Sequence, residues 1–410
     1  LEHLLSVEQA RKIILSNFKK NKSTTIPLEQ ANGKVLAADV FAIFNQPPFS
    51  NSSMDGFAVK AEDTRHATPD QPVELVVIED IAAGYHPKSQ INNGQSSRIM
   101  TGGPLPPGAN AVIPVEKTNF SDRYNQRARP SSVLIYKPAN RGDNVRPEGQ
   151  DIHQGEKIFQ QAHKLRAQDL GSLAAQGIAE VEVVKNPVIA LLSSGDELLK
   201  PGDPLVPGKI FDSNTITIKT LLESFGASVI NLGVAKDDVR DIKAKLDLIN
   251  DLDLDLLIST AGVSVGVFDL IRDVILDNGK LNFWKVNMRP GKPLTFGEFQ
   301  NVPFIGLPGN PVSAFVSSLV FVKPVIQHLL GIDQKEELFK TVVDEEISSD
   351  GRESYLRAEI RIVNGVYHAR LASHQGSANI LSLVYANALL IIPAGVKSVP
   401  EGKTVDFFWI

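Results

Sequence analysis

The spacing of apolar residues along this chain switches between helical and strand-like periods, and the switches mark out its parts. From Ser6 onward, Val7, Ala10, Ile13, Ile14 and Phe18 recur at helical spacing, which predicts an amphipathic helix over 6–19 with Ser6 as N-cap. Residues 26–40 carry a Gly33 break and a β-like run over 35–40. Pro47-Pro48 then opens a region of short apolar runs (73–78, 111–115, 133–136) between Gly, Pro and Asn turns. That pattern predicts a small β-rich unit with a polar loop over 118–130. A helix over 165–176, ended by Gly177, follows.

Pro187 begins the most regular section. Apolar runs at 188–192, 227–232 and 256–258 alternate with helical patterns at 215–225, 239–249 and 267–276. Further strands at 281–286 and 302–307 lead into a long helix over 311–330. Strands alternating with helices predict an open, mostly parallel sheet, whose ligands bind beyond the carboxyl ends of the strands. The stretch DLLISTAGVSVGVFD at 255–269 is its centre: strand, glycine loop, helix, a way of aiming backbone N–H groups at an anion. After Gly331 the pattern is β again, with alternating runs at 355–362 and 366–371 joined by Asn364-Gly365, then runs at 388–392 and 405–410. Asn-Gly between such runs signals a hairpin, and the last segment is expected to be a small barrel or sandwich.

Composition narrows the function classes. Charged residues make up 22% and apolar residues 42% of 410, which are globular values. A net charge of −5 offers no overall attraction to nucleic acid or anionic membrane. The absence of cysteine excludes disulfides, thiolate nucleophiles, zinc–cysteine sites and iron–sulfur clusters. No run of 18 apolar residues and no signal-peptide pattern at the start are seen, so a cytoplasmic location is expected.

The chemistry collects where the predicted strands end. Asp196, Glu197, Asp237, Asp238 and Asp269 form an acidic set, and Lys285, Arg289 and Lys292 a basic one. Neighbouring carboxylates repel unless a cation separates them, which points to Mg²⁺ or a similar hard ion. Cations beside a glycine loop point to a phosphate or other oxyanion. Simpler roles compete: helix capping for Asp237 or Asp238, dipole compensation for Asp269, a plain turn for RPGKP, and an edge-strand surface position for Lys285. Convergence on one sheet edge favours the metal-and-oxyanion reading. The Gly262, Ser264 and Gly266 spacing also matches the G-x-S-x-G nucleophile elbow. A triad needs a later acid and then a histidine. His328 falls inside the long helix, His368 and His374 fall in the C-terminal β region, and no HGG segment is present. No P-loop, G-x-G-x-x-G or H-E-x-x-H motif occurs either.

The loops resemble those of the molybdopterin molybdenumtransferases, the family of bacterial MoeA and the animal gephyrin E domain. The resemblance rests on SSMDGFAV at 52–59, IMTGGPLPPGANAVIPVE at 99–116, RPEGQDI at 146–152 and SSGDEL at 193–198. It continues through GVSVGVFD at 262–269, FWKVNMRPGKP at 283–293, GLPGNPVSAF at 306–315, HQGSANILSL at 374–383 and ANALLIIPAG at 386–395. These follow family order over nearly the whole chain. The resemblance implies an elongated homodimer of multidomain α/β plus β class. Its parts would be an N-terminal linker and dimerisation unit (1–44 with 147–180), a β-rich insert (45–146), an α/β molybdopterin-binding domain (181–330) and a C-terminal β-barrel (331–410).

The implied reaction is Mg²⁺-dependent insertion of molybdate into adenylylated molybdopterin with release of AMP, the last step of molybdenum cofactor biosynthesis. By motif position, Glu197, Asp237 and Asp269 would hold the metal, and Lys285 and Arg289 the anionic substrate. Gly262, Ser264, Gly266, Lys292, Pro308, Pro311 and Ser377 would line the site. Asp55, Thr101, Arg146 and Asp151 would complete it across the dimer. Further implied partners are a molybdopterin adenylyltransferase and apo-molybdoenzymes. Ala261 and Arg289 depart from the glycine and lysine common in the family. A non-catalytic scaffold homologue and a molybdopterin adenylyltransferase are the alternatives; the insert and the C-terminal domain argue against the second.

Overall fold

The computed structural model describes residues 4–120, 129–260, 270–333 and 336–410, and all counts below are of these residues. Its centre is a six-stranded sheet. Ser228–Ala235, Val188–Ser194, Leu256–Thr260 and Val302–Leu307 lie side by side in parallel, followed by Thr295–Phe299 and Gly279–Phe283. Thr295–Phe299 runs against both its neighbours.

Period-two alternation shares each strand between two cores. Ile189, Leu191, Leu256, Ile258, Ile305 and Leu307 face the helices Asn214–Ser224 and Pro311–Ser317. Ala190, Leu192, Leu257 and Phe304 face Val239–Leu246 and Leu270–Asp277. Burial on both faces is why these strands read as apolar runs in sequence. The helix from Pro311 to Leu329 is apolar enough to pass for a membrane span, yet it lies 72% buried in this core, with a π-helical segment at Ser318–Val322.

Several elements differ from the sequence reading. The expected strand over 281–286 is Gly279–Phe283, so Lys285 falls beyond its end. The run over 35–40 forms isolated bridges and the two-residue strand Val40–Phe41. Ser23–Pro27, too polar to register as a strand, pairs with Glu180–Val184. The N-terminal helix is Val7–Leu15, capped by a reciprocal Ser6–Gln9 box. Its Val7, Ala10 and Ile14 pack into the α/β core, against which Ala162 also packs.

The chain leaves the Val40–Phe41 strand and returns to pair with it at Lys157–Phe159. Between them lies a five-stranded sheet in the order Ala111–Pro114, Gly56–Val59, Gln95–Ile99, Val73–Ile81, Ser132–Ile135. At the C-terminal end Glu353–Val363, Val366–Leu371, Phe339–Val343, Thr404–Trp409 and Ala388–Ile392 pair in sequence, and the last returns to the first. Five strands thereby close a barrel, which removes its edges. The hairpin at its start turns through Asn364 and Gly365 with φ of 51° and 80°, as a two-residue type I′ turn requires.

One buried carboxylate ties the helix Ala167–Ala175 to the preceding loop. Asp169 accepts from Arg166 N, Nε and Nη2 and pairs with His163 Nε2 at 2.8 Å. Its hydrogen bonds to the Arg166 side chain lead the causes that hold its carboxyl far below the ordinary range. A depressed carboxylate contributes stability that is present above the unfolded pKa of about 3.9 and is lost as pH falls through the folded value. Acid titration of the melting temperature should therefore separate wild type from Asp169→Asn: the gap is full near neutrality and closes below about pH 4. A gap unchanged down to pH 2 would contradict the assignment.

Candidate functional site

Two adjoining cavities lie at the carboxyl edge of the central sheet, where it meets the barrel. The first, of about 320 Å³, is lined by Arg289, Lys292, Arg352 and Arg357 with Asn310, Ser313 and Ser377. Arg289 arrives on the short strand Met288–Arg289, which pairs in parallel with Glu353 and Ser354 of the barrel. Arg352 secures that junction by donating Nη1 to Met288 O at 3.0 Å, while its Nε bonds Asp350 at 3.0 Å. The turn that follows needs its glycine: Gly291 has φ +106°, and a Cβ there would stand 2.6 Å from Ser317 Oγ.

Arg357 is the unusual member. It is 1% exposed, donating Nε to Ser382 Oγ at 3.0 Å and Nη2 to Gly376 O at 3.1 Å. Burial first, and the charge of Arg289 second, push its pKa down to about 10. It remains a cation at neutral pH. Among the described residues Arg352 has Asp350 as counter-ion, whereas no ion pair involves Arg289, Lys292 or Arg357. Burying a cation without a partner is expensive, and a bound anion removes that cost. With two serine hydroxyls, the pocket suits a small tetrahedral oxyanion.

The second cavity, a cleft of about 500 Å³, shares Pro293 and Asn310 with the first. Glu197, Asp212, Thr260, Pro308 and Pro311 line it, with Ile210 and Phe211 as an exposed apolar wall. Gly195, with φ +145°, lets the chain turn after the strand Val188–Ser194, and the Glu197 carboxylate folds back over it. A Cβ at 195 would sit 2.5 Å from Glu197 Oε2. Nearby, Asp237 N donates to Asp196 Oδ1 at 3.2 Å, and Asp196 N donates to Asp237 Oδ2 at 3.3 Å. Asp238 caps the next helix by accepting from Arg240 N and Asp241 N. Capping therefore occupies Asp238 and leaves Asp237 at the sheet edge.

The structure thus gathers Arg289, Lys292 and Ser377 in one pocket and Glu197, Pro308 and Pro311 in its neighbour. Asp237 is exposed and lines neither. Lys285 is half-buried and also outside both linings. Asp55, Thr101, Arg146 and Asp151 belong to loops of the inserted region. Asp55 Oδ1 accepts from Thr101 N at 2.7 Å and Oγ1 at 2.8 Å, Arg146 pairs opposite Asn51, and Asp151 N donates to Gln46 O. None of the four lines either cavity. Gly262, Ser264, Gly266 and Asp269, with Ala261, lie outside the described residues.

Among the described residues no three Asp, Glu or His side chains converge as a metal site. The acidic candidates that are described, Glu197 in the cleft and Asp237 at the sheet edge, offer hard carboxylate oxygens. That fits Mg²⁺, which keeps several waters and completes its octahedron with substrate phosphates.

Sequence reasoning missed Arg352, Arg357, Asp212 and Thr260. A charge inside the apolar part of a strand was the available signal for Arg357.

Comparison with known proteins agrees along the whole chain. Residues 5–177 match the family model for the MoeA N-terminal region (domain I and II), 190–328 the probable molybdopterin binding domain, and 340–409 the MoeA C-terminal region (domain IV). Molybdopterin molybdenumtransferase 2 of Mycobacterium tuberculosis is 36% identical over 412 residues, covering 98% of both chains. The molybdopterin molybdenumtransferase of a Nostoc species is 36% identical over 389 residues, 93% of this chain and 87% of that one. A crystal structure of the molybdopterin biosynthesis MoeA protein from Pyrococcus horikosii superposes with a TM-score of 0.81 at 30% identity, covering 99% of each chain.

Proposed function

The chain belongs to the molybdopterin molybdenumtransferase family, transferases of molybdenum cofactor biosynthesis, and from that premise we propose that it inserts molybdate into adenylylated molybdopterin with release of AMP. The observation that carries this reading is the contact between the two cavities. A pocket with three unpaired cations opens beside a carboxylate-lined cleft, and both share Pro293 and Asn310. Molybdate, a tetrahedral dianion, suits the cationic pocket, where Arg289, Lys292 and Arg357 supply charge and Ser313 and Ser377 supply hydroxyls.

The adenylylated pterin fits the longer cleft. Its phosphoric anhydride would lie toward Glu197 and Asp237, the residues that would hold Mg²⁺ together with Asp269. The ion's contribution is to neutralise charge on the phosphate oxygens. The protein would hold the anhydride next to the molybdate pocket, where attack of water on the P–O–P bond releases AMP, leaves the other phosphate on the pterin and frees that pterin beside the bound molybdate. Lys285 adds a cation at the strand end below. Asp55, Thr101, Arg146 and Asp151, which line neither cavity in the single chain, would reach the site from the partner of a homodimer. A cytoplasmic setting, with an adenylyltransferase as donor and apo-molybdoenzymes as acceptors, completes the reading.

The test combines the protein with adenylylated molybdopterin, Mg²⁺ and molybdate, and follows AMP and reconstitution of an apo-molybdoenzyme. Molybdate-dependent AMP release with reconstitution is expected. A folded protein that releases no AMP would overturn the proposal in favour of a scaffold role.

A further inference from the structure

We propose that Asp212 sets the direction of a chain of three hydroxyls and thereby fixes Thr260 as a hydrogen-bond acceptor in the cleft, where it selects a substrate group bearing an N–H or O–H donor. The inference deepens the reading above and rests on it: the cleft is taken to receive the adenylylated pterin.

The chain is short and largely buried. Thr215 N donates to Asp212 Oδ1 at 3.0 Å, and Thr215 Oγ1 donates to Asp212 Oδ2 at 2.5 Å. Thr215 Oγ1 lies 2.7 Å from Ser193 Oγ, which lies 2.6 Å from Thr260 Oγ1. Asp212, Ser193 and Thr260 are 5%, 0% and 1% exposed. Each hydroxyl carries one hydrogen, and an ionised carboxylate only accepts. Thr215 has given its proton to Asp212, so Ser193 must donate to Thr215, and Thr260 must then donate to Ser193. Every donor in the chain points toward Asp212. The Thr260 oxygen is left with lone pairs alone, and Thr260 lines the cleft at the last position of the strand Leu256–Thr260. Asp212 is therefore a positioning residue, acting through two intermediates on the group that meets the substrate.

Replacing the carboxylate by its amide isostere reverses this order. In Asp212→Asn the amide oxygen stays with the Thr215 N–H and the NH₂ faces Thr215 Oγ1. Thr215 then donates to Ser193, Ser193 to Thr260, and Thr260 turns its hydrogen outward. A donor now meets a donor. Leaving a buried polar group so mismatched corresponds to a roughly ten- to hundredfold loss in affinity.

The experiment is a double-mutant cycle on KM for adenylylated molybdopterin at saturating Mg²⁺ and molybdate, with calorimetric binding of AMP alone in parallel. Asp212→Asn should raise KM roughly tenfold or more, and Thr260→Val, which removes the hydroxyl without changing shape, should raise it about tenfold. Asp212→Asn should add less than about twofold in the Thr260→Val background, because the reversed chain no longer reaches the cleft. Ser193→Ala cuts the chain in the middle and should silence Asp212→Asn equally. Weaker AMP binding in the single variants would place the donor on the nucleotide, and unchanged AMP binding with raised KM would place it on the pterin. Either supports the proposal. Full additivity in both backgrounds, or an Asp212→Asn variant with wild-type KM and AMP binding, would overturn it. Wild-type protein that releases no AMP would overturn the parent reading, and this inference with it.

Discussion

Replacing Arg357 with methionine is expected to raise the molybdate concentration needed for half-maximal AMP release about a hundredfold. Arg357 is fully buried, and no ion pair among the described residues involves it. Two of its nitrogens already bond Ser382 Oγ and Gly376 O, which aims the remaining donors into the pocket. Charge-assisted hydrogen bonds of this kind contribute about 1.5–3 kcal/mol each, and about 2.7 kcal/mol is a hundredfold in affinity. Methionine fills similar volume without charge, and replacing a buried uncompensated cation by an apolar side chain need not destabilise the barrel. The check is a molybdate titration of AMP release alongside a melting curve. An unchanged molybdate requirement would remove Arg357 from the oxyanion site. Since burial holds this guanidinium near 10, wild-type affinity for molybdate should be constant at neutral pH and decline as pH rises through about 10.

Glu197→Ala should act on the other half of the site. AMP release at saturating molybdate is expected to fall by about 10²–10³-fold, with molybdate binding unaltered. Glu197 lines the cleft rather than the cationic pocket, and its carboxylate is held against the left-handed Gly195 turn. Its charge would be placed where the anhydride oxygens and Mg²⁺ meet, so its loss should also raise the Mg²⁺ concentration required. Single-turnover AMP release across an Mg²⁺ series measures both effects. Wild-type release at wild-type Mg²⁺ would exclude Glu197 from the metal site. Arg357 and Glu197 variants thus fail in different variables, molybdate in one case and Mg²⁺ in the other, as two adjoining pockets require.

Much of this architecture was legible because its causes are local. Asn364-Gly365 can adopt the positive φ of a two-residue hairpin, and alternating runs on either side leave little freedom of register. The apolar runs at Val188–Ser194 and Leu256–Thr260 announce strands buried on both faces. Elements without such a signature were missed. Gln95–Ile99 is polar in sequence, and Thr295–Phe299 follows too closely on a proline-rich turn to stand out. Pairing, not propensity, makes both of them strands: Gln95–Ile99 lies between Gly56–Val59 and Val73–Ile81, and Thr295–Phe299 folds back on Val302–Leu307 through Gln300 and Asn301 while also pairing with Gly279–Phe283.

The same division runs through the site. Glycine turns, strand-end carboxylates and the RPGKP cations are set by the sequence itself, because a turn or a strand terminus involves only a few consecutive residues. Only the tertiary structure decided that Asp238 caps a helix while Asp237 remains at the sheet edge, since that depends on where the helix starts. It alone placed Arg357, the buried charge of the barrel strand Glu353–Val363, beside Arg289 and Lys292 through the pairing of Met288–Arg289 with Glu353–Ser354. And it alone joined Asp212 to Thr260 through hydroxyls from three separate segments. Contacts between residues far apart in the chain depend on how whole sheets dock, and no local pattern of residues encodes that docking.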